Sequence, residues 1–520
     1  MTIPTGETTA STAPGSTVVR ESSSELLTGP GHFLVPAIPA LATFVITLWR
    51  ITGSSYWRDE AATMVAVHRS FGQLLRLLGQ TDAVHGVYYV MMWGIVRATG
   101  SGELAARLPS VLAMTAAAAL VAVIGRRLVS PQAGLAAGLV FAVVPATSLY
   151  AQNARPDAMA VALAAGASYL LVRVLDDGAA SRRWLAGYAV CIAVLGLIDL
   201  FALLLVVAHA VAVAAAAIRT KDHGARRALV LRWLIAVVVA LAIISPLAWL
   251  AFTERAAIQW IKAPDSKVWR GLAGLVAPAP HPRAFGNSSA SVLAALGVLI
   301  GAGLVVSMAS GRAALHRHWP SRLAEICLPW LILPAAILLG ISLVKPIYNV
   351  RYILFSMPAL ALLSGAALAA LGRIAGTAAL AVVALVCLPV QLAVRHPAGH
   401  GENIRKADQI VAAYMRPGDA VIFHNPTEES WSFAYPYGLA QLKDIGQAQT
   451  PAMSGTLTGT SLPAAVVQQR LSLLPRVWVV DLKYLSSGTA PQLHNSAFQL
   501  VRHWRVDDIQ LFLYTRRSGA

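Results

Sequence analysis

Charged residues are scarce in this 520-residue chain, since only 12% of its residues are Asp, Glu, Lys or Arg. Soluble proteins carry roughly a quarter of their residues as these four types, so the composition excludes a fold whose surface faces water throughout. Aromatic residues make up only 7%, although 57% of the chain is hydrophobic. The apolar part is therefore mainly aliphatic, which is typical of helices that face lipid.

Cysteine is rare as well. The three cysteines, Cys191, Cys327 and Cys387, lie in apolar segments without a CxxC spacing or a neighbouring His at ligand spacing. We interpret them as small core residues and predict no disulfide.

Acidic residues are too few to balance the basic ones, and the net charge is +17. The Lys and Arg residues lie mostly in short loops between apolar runs, and no basic stripe alternates with aromatic residues. Membrane topology explains this placement better than nucleic-acid binding does. We therefore predict membrane lipids, and no nucleic acid, as partners.

Residues 1–30 are rich in Ser, Thr, Gly and Pro, which predicts a disordered, cytoplasmic N-terminus. The segment has no basic start that leads directly into an apolar core and a small-residue cleavage site. A cleaved signal peptide is therefore not indicated, and the first apolar run is expected to remain as a membrane helix.

Eleven apolar runs approach the length of about 20 residues that a helix needs to cross a bilayer. They are Phe33–Trp49, Leu104–Ile124, Ala133–Leu149, Ala158–Leu175, Trp184–Ile198, Leu200–Ile218, Trp233–Phe252, Ser291–Met308, Ile326–Val344, Tyr352–Leu371 and Ile374–Val394. A further run, Val84–Thr99, is ambiguous.

The positive-inside rule decides the ambiguous run. If the N-terminus is cytoplasmic and Val84–Thr99 does not cross, nearly all clustered basic residues lie in cytoplasmic loops. They are Arg126, Arg127, Arg182, Arg183, Arg219, Lys221, Arg226, Arg227, Arg232, Arg312, Arg317, Arg322 and Arg373. Counting Val84–Thr99 as a span puts these clusters outside. We therefore predict an interfacial helix there, within an outer loop at 51–103.

The predicted fold class is an α-helical polytopic membrane protein with about eleven transmembrane helices, its N-terminus inside and its C-terminus outside. Residues 31–394 form the membrane domain, and residues 395–520 form a small soluble α/β domain on the outer face. A helical period, a turn and three strand-like runs support this last domain. They are Ile404–Met415, Pro417-Gly418-Asp419, Ala420–Phe423, Arg476–Leu482 and Ile509–Thr515.

Polar residues cluster on the predicted outer face, directly after the first helix and before the fourth. Tyr56-Trp57-Arg58-Asp59-Glu60 is either an interfacial anchor or a reactive site. In Tyr150–Asp157, Pro156 suits a helix start and Asp157 suits the helix dipole. A helix start explains Asp157 well and Arg155 less well.

Two further polar segments belong to the same face. Lys345–Tyr352 carries Lys345, Tyr348 and Arg351, whose cations either snorkel to the interface or neutralise a phosphate at headgroup depth. His85 lies in Asp82–Tyr89, and a lone His is more often structural than functional. The topology therefore brings the most unusual polar residues of the chain to one side of the membrane.

In chain order, these segments resemble motifs of the GT-C superfamily of polyprenyl-phosphate-sugar glycosyltransferases, in the branch of protein O-mannosyltransferase-like enzymes and lipid A aminoarabinose transferases. The resemblance covers most of the membrane part. It rests on Trp57-Arg58-Asp59-Glu60-Ala61, His85-Gly86-Val87-Tyr88-Tyr89, Arg107-Leu108-Pro109-Ser110, Ala154-Arg155-Pro156-Asp157-Ala158 and Arg351-Tyr352. The second motif departs from the family pattern, because Gly86-Val87 stands where that pattern has x-Pro. The resemblance extends to the C-terminal domain, which is similar to those of many bacterial members.

The resemblance implies an inverting glycosyltransferase of the plasma membrane that moves a sugar, with mannose favoured, from a polyprenyl-phosphate donor to a lipid, glycan or protein acceptor. It implies that Asp59 is the general base. The residues implied to bind the substrates are Arg58, Glu60, His85, Tyr89, Arg155, Asp157, Lys345, Tyr348 and Arg351. Lys345, Arg351, Arg155 and His85 are expected to hold the phosphate. Glu60 and Asp157 either orient the acceptor or bind a divalent metal, and the resemblance leaves metal dependence open.

Two other functions fit the composition. A transporter or flippase suits about eleven helices and a basic inner face. However, we find no internal duplication, and few charges interrupt the membrane interior, where Asp199 and His209 are the candidates. A sensor on a membrane anchor does not require so many spans.

Overall fold

The computed structural model describes residues 31–177, 182–254, 322–482 and 497–517, with isolated positions between 261 and 297. The chain divides into two compact units, residues 1–34 and residues 35–520. Of the first unit, only residues 31–34 are described, and they begin the first helix. The predicted disorder at 1–30 lies outside the described residues, and so does the predicted span Ser291–Met308 apart from Leu296 and Gly297.

Long helices dominate the described chain up to residue 394. They are α1 Gly31–Leu48, α2 Arg58–Val67, α3 Phe71–Leu78, α4 Gly86–Thr99, α5 Glu103–Leu128, α6 Pro131–Val143, α7 Pro145–Ala151, α8 Asp157–Asp177, α9 Arg182–Ile198, α10 Leu204–Arg219, α11 His223–Thr253, α12 Arg322–Ser342, α13 Met357–Ala370 and α14 Arg373–Val394. Short 3₁₀ helices at Ala83–His85, Phe201–Leu203 and Val350–Ser356 precede α4, α10 and α13.

The described residues contain seven helices that are long and apolar enough to cross a membrane, or eight if the bent pair α6 and α7 forms one span. The two helices of that pair meet at an angle of 61°, because Pro145 follows Val144 and cannot continue the hydrogen bonding of α6. The predicted runs Phe33–Trp49 and Trp184–Ile198 also form helices, α1 and α9. The prediction of a polytopic helical membrane protein is confirmed.

The ambiguous run forms α4, which has 14 residues. At a rise of about 1.5 Å per residue, it reaches only about 21 Å, less than the ~30 Å hydrocarbon core. Its length therefore supports the prediction that this segment does not cross the membrane.

Close helix packing holds the centre of the bundle. A Cβ atom on Gly365 of α13 would lie 2.3 Å from the backbone nitrogen of Ala137 in α6, a separation that only glycine permits. Small residues allow such backbone approach between membrane helices. The two helices therefore form a tightly joined pair.

Arg395 joins the last membrane helix to the first. Its buried guanidinium donates to the backbone oxygens of Ile46, Trp49 and Gln391 at 2.5, 3.0 and 2.5 Å. Because Gln391 and Arg395 lie at the end of α14, and Ile46 and Trp49 at the end of α1, these bonds fix the two helix ends side by side.

The region after residue 395 combines short helices with a mixed sheet. The helices are α15 Ile404–Tyr414, α16 Trp431–Ala434, α17 Pro451–Ser454 and α18 Ala464–Leu471, with 3₁₀ helices at Pro426–Ser430 and Leu439–Gln441. The strands are β1 Ala420–Phe423, β2 Lys443–Asp444, β3 Gln447–Gln449, β4 Thr460–Ser461, β5 Arg476–Leu482, β6 Phe498–Val506 and β7 Ile509–Arg516. The main sheet has the order β2-β1-β5-β7-β6. Strand β1 runs parallel to β2 and β5, and β7 runs antiparallel to β5 and β6. The predicted helix and three predicted strands are all present, whereas β2, β3, β4 and β6 were not predicted.

Ion pairs mark one end of the helix bundle. Asp176, near the end of α8, forms ion pairs with Arg127 at 2.8 Å and with Arg322 at 2.5 Å. Arg219 pairs with Glu325. The first residue of α8, Asp157, is a candidate site residue and lies at the opposite end of that helix. The basic residues of these ion pairs and the candidate site thus lie at opposite ends of the bundle, as the positive-inside assignment requires.

We expect reporter fusions after Arg127, Arg183 and Arg227 to report cytoplasm, and fusions after Pro282 and Ala520 to report the outer side. The reason is the bias of Lys and Arg toward cytoplasmic loops. Paired alkaline phosphatase and fluorescent protein fusions at each position measure this directly. An outside signal at Arg227 contradicts the assignment.

Candidate active site

Arg351 is the centre of the candidate site. Its Nε and Nη2 donate to the two oxygens of Asp157 at 2.6 and 2.8 Å, and its Nη1 donates to Asp59 Oδ2 at 2.6 Å. The side chain of Asn349 accepts a bond from the backbone N–H of Arg351 at 3.0 Å and so starts the 3₁₀ helix that carries it. One guanidinium therefore bridges two carboxylates that come from different helices.

Helix starts place all three of these groups. Asp59 is in the first turn of α2, Asp157 begins α8, and Arg351 is in the first turn of Val350–Ser356. The ring centroid of Trp57 lies 5.8 Å from the Arg351 guanidinium carbon. Acids favour helix N-termini because of the dipole there, so both acids suit their positions before any substrate is considered.

The electrostatic environment of Asp59 keeps it ionised. Burial raises the pKa of Asp59, but the guanidinium groups of Arg351, Arg155 and Arg58 outweigh it and hold that pKa below its usual value. The side chain of Asp59 is still 29% exposed. It is therefore a charged carboxylate that is partly open to solvent.

Arg155 lies beside this centre and belongs to a second network. Its Nη2 bonds to His85 Nε2 at 3.0 Å, and its Nη1 bonds to the hydroxyl of Tyr89 at 3.4 Å. A guanidinium can only donate, so Nε2 of His85 accepts and the proton of the ring lies on Nδ1. That nitrogen donates to Asp82 Oδ1 at 2.5 Å, and Tyr89 donates to Asp82 Oδ2 at 2.6 Å. His85 thus orients Arg155 in this arrangement, and its predicted role in holding the phosphate remains a prediction.

Glu60 points away from Asp59 into the protein. Arg107 donates to its two oxygens at 2.8 and 2.7 Å, and the backbone N–H of Ala154 donates to it at 2.8 Å. The side chains of Glu60 and Arg107 are fully buried. Burial alone would raise the pKa of Glu60. Arg107 and His400 outweigh burial and lower this pKa to about 2. This position favours a structural role over the predicted contact with the acceptor.

The residues around Glu60 hold two loops together. Ser110 donates to the backbone oxygen of Asn153 at 2.8 Å, Trp57 donates to the Asn153 side chain at 3.1 Å, and Thr63 donates to the backbone oxygen of Ala154 at 3.0 Å. The Arg107-Leu108-Pro109-Ser110 motif thus contributes its first and last side chains to the framework that fixes Asp59 and Arg155.

The structure brings most, but not all, of the predicted site residues together. Arg58 is at the rim, with Nε 3.8 Å from Asp59 Oδ1. Lys345 is exposed and forms no ion pair with the described residues. Tyr348 packs against the core, and burial raises its pKa to about 12. The roles predicted for Lys345 and Tyr348 in substrate binding remain predictions.

Sequence reasoning missed Asp82 and Glu402. Asp82 precedes His85 by three residues, a spacing that makes two side chains neighbours in a helical turn. Its backbone is left-handed, with φ 62°. Glu402 accepts a hydrogen bond from the backbone N–H of Arg58 at 3.1 Å. Because Glu402 lies 344 residues further along the chain, no local sequence pattern predicts this contact.

A divalent metal was left open by the sequence. Among the residues that the structure describes, no three His, Cys, Asp or Glu side chains are grouped to hold a metal ion. The two acids considered as ligands are Glu60 and Asp157. Both oxygens of Glu60 accept hydrogen bonds from Arg107, and both oxygens of Asp157 accept hydrogen bonds from Arg351. In this arrangement, Arg351 supplies the positive charge between Asp59 and Asp157.

Comparison of the sequence with protein families matches residues 86–249 to the model of dolichyl-phosphate-mannose-protein mannosyltransferases. Comparison with curated proteins finds no match. The matched residues begin with α4, which directly follows His85. They also include the Arg107 motif and the segment that contains Arg155 and Asp157.

Solved structures resemble nearly the whole chain. ArnT from Cupriavidus metallidurans in the apo state has a TM-score of 0.58 at 16% identity, over 92% of this chain and 97% of that one. The same protein bound to undecaprenyl phosphate has a TM-score of 0.55 at 15% identity, over 95% and 98% of the two chains. The apo oligosaccharyltransferase of Archaeoglobus fulgidus has a TM-score of 0.50 at 11% identity, over 87% and 70%. The chain therefore shares its fold with ArnT and with this oligosaccharyltransferase, as the resemblance of its motifs predicted.

Proposed function

We propose that this protein is an inverting glycosyltransferase that moves a sugar from a polyprenyl-phosphate donor to an acceptor hydroxyl at the outer face of the plasma membrane. The observation that carries the proposal is the Arg351 bridge. A guanidinium fork that binds one carboxylate through two bonds also suits a phosphate. A second arginine, Arg155, lies next to it and is held by a hydrogen bond to His85.

The proposed reaction is a single displacement. The acceptor oxygen attacks the anomeric carbon and transfers its proton to Asp59, which acts as general base. The bond between the anomeric carbon and the phosphate oxygen breaks, and its electron pair leaves with the phosphate. Arg351 and Arg155 stabilise the charge that develops there. Inversion at the anomeric carbon gives an α-linked product from a β-linked donor.

The likeness to known structures supports the donor class. ArnT was solved with undecaprenyl phosphate, a lipid of the kind that the proposed donor releases. Nucleotide sugars do not occur outside the plasma membrane, so a transferase there needs a donor that is delivered by lipid. Mannose is the sugar we propose to test first, because the matching family model describes mannosyltransferases. A lipid, a glycan or a protein remains the proposed acceptor class.

Purified protein in lipid nanodiscs, incubated with short-chain polyprenyl phosphates that carry radiolabelled mannose or other sugars, tests the proposal. Membrane extract supplies acceptors, and the label is followed into separated lipid, glycan and protein fractions. We expect one lipid-linked sugar to be transferred and its free polyprenyl phosphate to accumulate, while nucleotide sugars are not used. If a well-folded sample uses none of the lipid-linked sugars, the transporter hypothesis becomes the better one.

A further inference from the structure

The loop that leads into α2 is held by residues from beyond the last membrane helix. Three backbone N–H groups of the loop and the helix start donate to that segment. They are Ser55 to the backbone oxygen of Pro397 at 2.8 Å, Tyr56 to the hydroxyl of Tyr435 at 2.8 Å, and Arg58 to Glu402 Oε2 at 3.1 Å. These bonds lie immediately before Asp59 in the chain.

Glu402 caps the helix that carries Asp59. The residue before α2, Trp57, makes no capping bond with its own side chain, and the first N–H groups of a helix need such partners. Glu402 supplies one from a distant segment, and its negative charge lies at the positive end of the helix dipole. Its side chain is only 1% exposed, so the position of this carboxylate is well defined by its surroundings.

Arg405 braces the same loop from the other side. It donates to the backbone oxygens of Thr52 and Ser54, both at 2.9 Å, and its own N–H donates to the hydroxyl of Ser55 at 3.0 Å. The guanidinium is anchored by Glu103 at 2.5 Å. Because Glu103 starts α5, the loop is fixed between a membrane helix and the C-terminal region.

Close backbone approach adds to this hold. A Cβ atom on Gly53 would lie 2.6 Å from the backbone oxygen of Arg395. The chain after α1 therefore runs directly against the end of α14, and the loop has little room to shift.

From these contacts we infer that Glu402 is a positioning residue, which fixes the start of α2 so that the Asp59 carboxylate lies where the acceptor proton is transferred. The C-terminal region thereby completes the active site from outside the membrane helices. This inference rests on the proposed role of Asp59 as the base.

The variants Glu402→Ala and Glu402→Gln test the inference in the full-length protein. Alanine removes the cap, and glutamine keeps an oxygen that accepts from Arg58. We expect Glu402→Ala to lower kcat by about 10²-fold, since a displacement of about 1 Å at a reacting group costs that much. The KM for the donor should change much less than kcat, because Arg351 is also held by two bonds to Asp157, which does not belong to α2. Glutamine should restore most of kcat.

Hydrogen–deuterium exchange of residues 53–63 gives a readout that does not depend on activity. We expect faster exchange of these amides in Glu402→Ala and near wild-type exchange in Glu402→Gln. Asp408→Asn is the matched control, since Asp408 is equally buried and accepts from Gly438 and Leu439 within the C-terminal region, at 2.9 and 2.8 Å. It should leave kcat per folded molecule and the exchange of residues 53–63 unchanged.

Unchanged kcat in folded Glu402→Ala, or a loss equal to that of Asp408→Asn, overturns the inference. If the wild type transfers no lipid-linked sugar, the proposed function fails. In that case, exchange of residues 53–63 still decides whether Glu402 holds the loop, and unchanged exchange overturns the inference by itself.

Discussion

Asp59→Asn is expected to lower the rate of sugar transfer by about 10²–10⁴, the range that a positioned general base contributes. The amide keeps the shape of the side chain and can accept a bond from Arg351, but it has no basic oxygen for the acceptor proton. Initial rates of transfer at saturating donor measure the effect, with thermal unfolding as the check on folding. A fully active, folded Asp59→Asn variant contradicts the proposed mechanism.

Glu60→Gln is the neighbouring control, and we expect the reverse balance of effects. Removing one charge from a buried ion pair typically costs about 3–5 kcal/mol, because here Arg107 would remain buried without its anion. We therefore expect a clear loss of stability and a milder loss of turnover per folded molecule. If Glu60→Gln abolished turnover at unchanged stability, Glu60 would be the better candidate for the base.

Arg351→Ala is expected to lower kcat/KM for the donor by about 10²–10³, the usual cost of removing one group that stabilises developing charge. The substitution also leaves Asp59 and Asp157 without the cation that they share. Their negative charges would then repel an anionic donor. Donor saturation curves with polyprenyl phosphate mannose measure the change. Unchanged donor saturation means that the phosphate binds elsewhere.

Two comparisons separate a phosphate contact from general damage. Arg351→Lys keeps the charge but lacks the planar fork, so we expect only partial recovery. Arg322→Ala removes an arginine whose partner, Asp176, lies at the other end of the bundle. It should affect stability alone and leave donor saturation as in the wild type.

The membrane fold was predictable because long apolar runs have few other stable structures in a bilayer. Strand β6 was not predicted, because its sequence lacks a clear alternation of polar and apolar residues along Phe498–Val506. Most of its side chains are exposed. The bend after Val143 follows from Pro145, but its angle of 61° depends on packing against other helices. Local sequence therefore predicts the elements better than their geometry.

The candidate site was predictable as a set of residues but not as a set of roles. Asp59 and Glu60 are adjacent in the sequence, yet successive residues of a helix point about 100° apart, so one faces the site and the other the core. Lys345 and Arg351 carry the same charge six residues apart. Only Arg351 starts a helical turn beside the two acids, and the sequence alone does not reveal that distance.

The contact between Arg58 and Glu402 also sets an order of events during synthesis. The two residues are 344 positions apart, and at about 5–20 residues per second the ribosome needs roughly 17–70 s to proceed from one to the other. Until then the loop before Asp59 exists without its cap and its braces. A nascent chain whose helices up to α14 are already made therefore still lacks the cap of α2, because the segment that supplies this cap is made after α14.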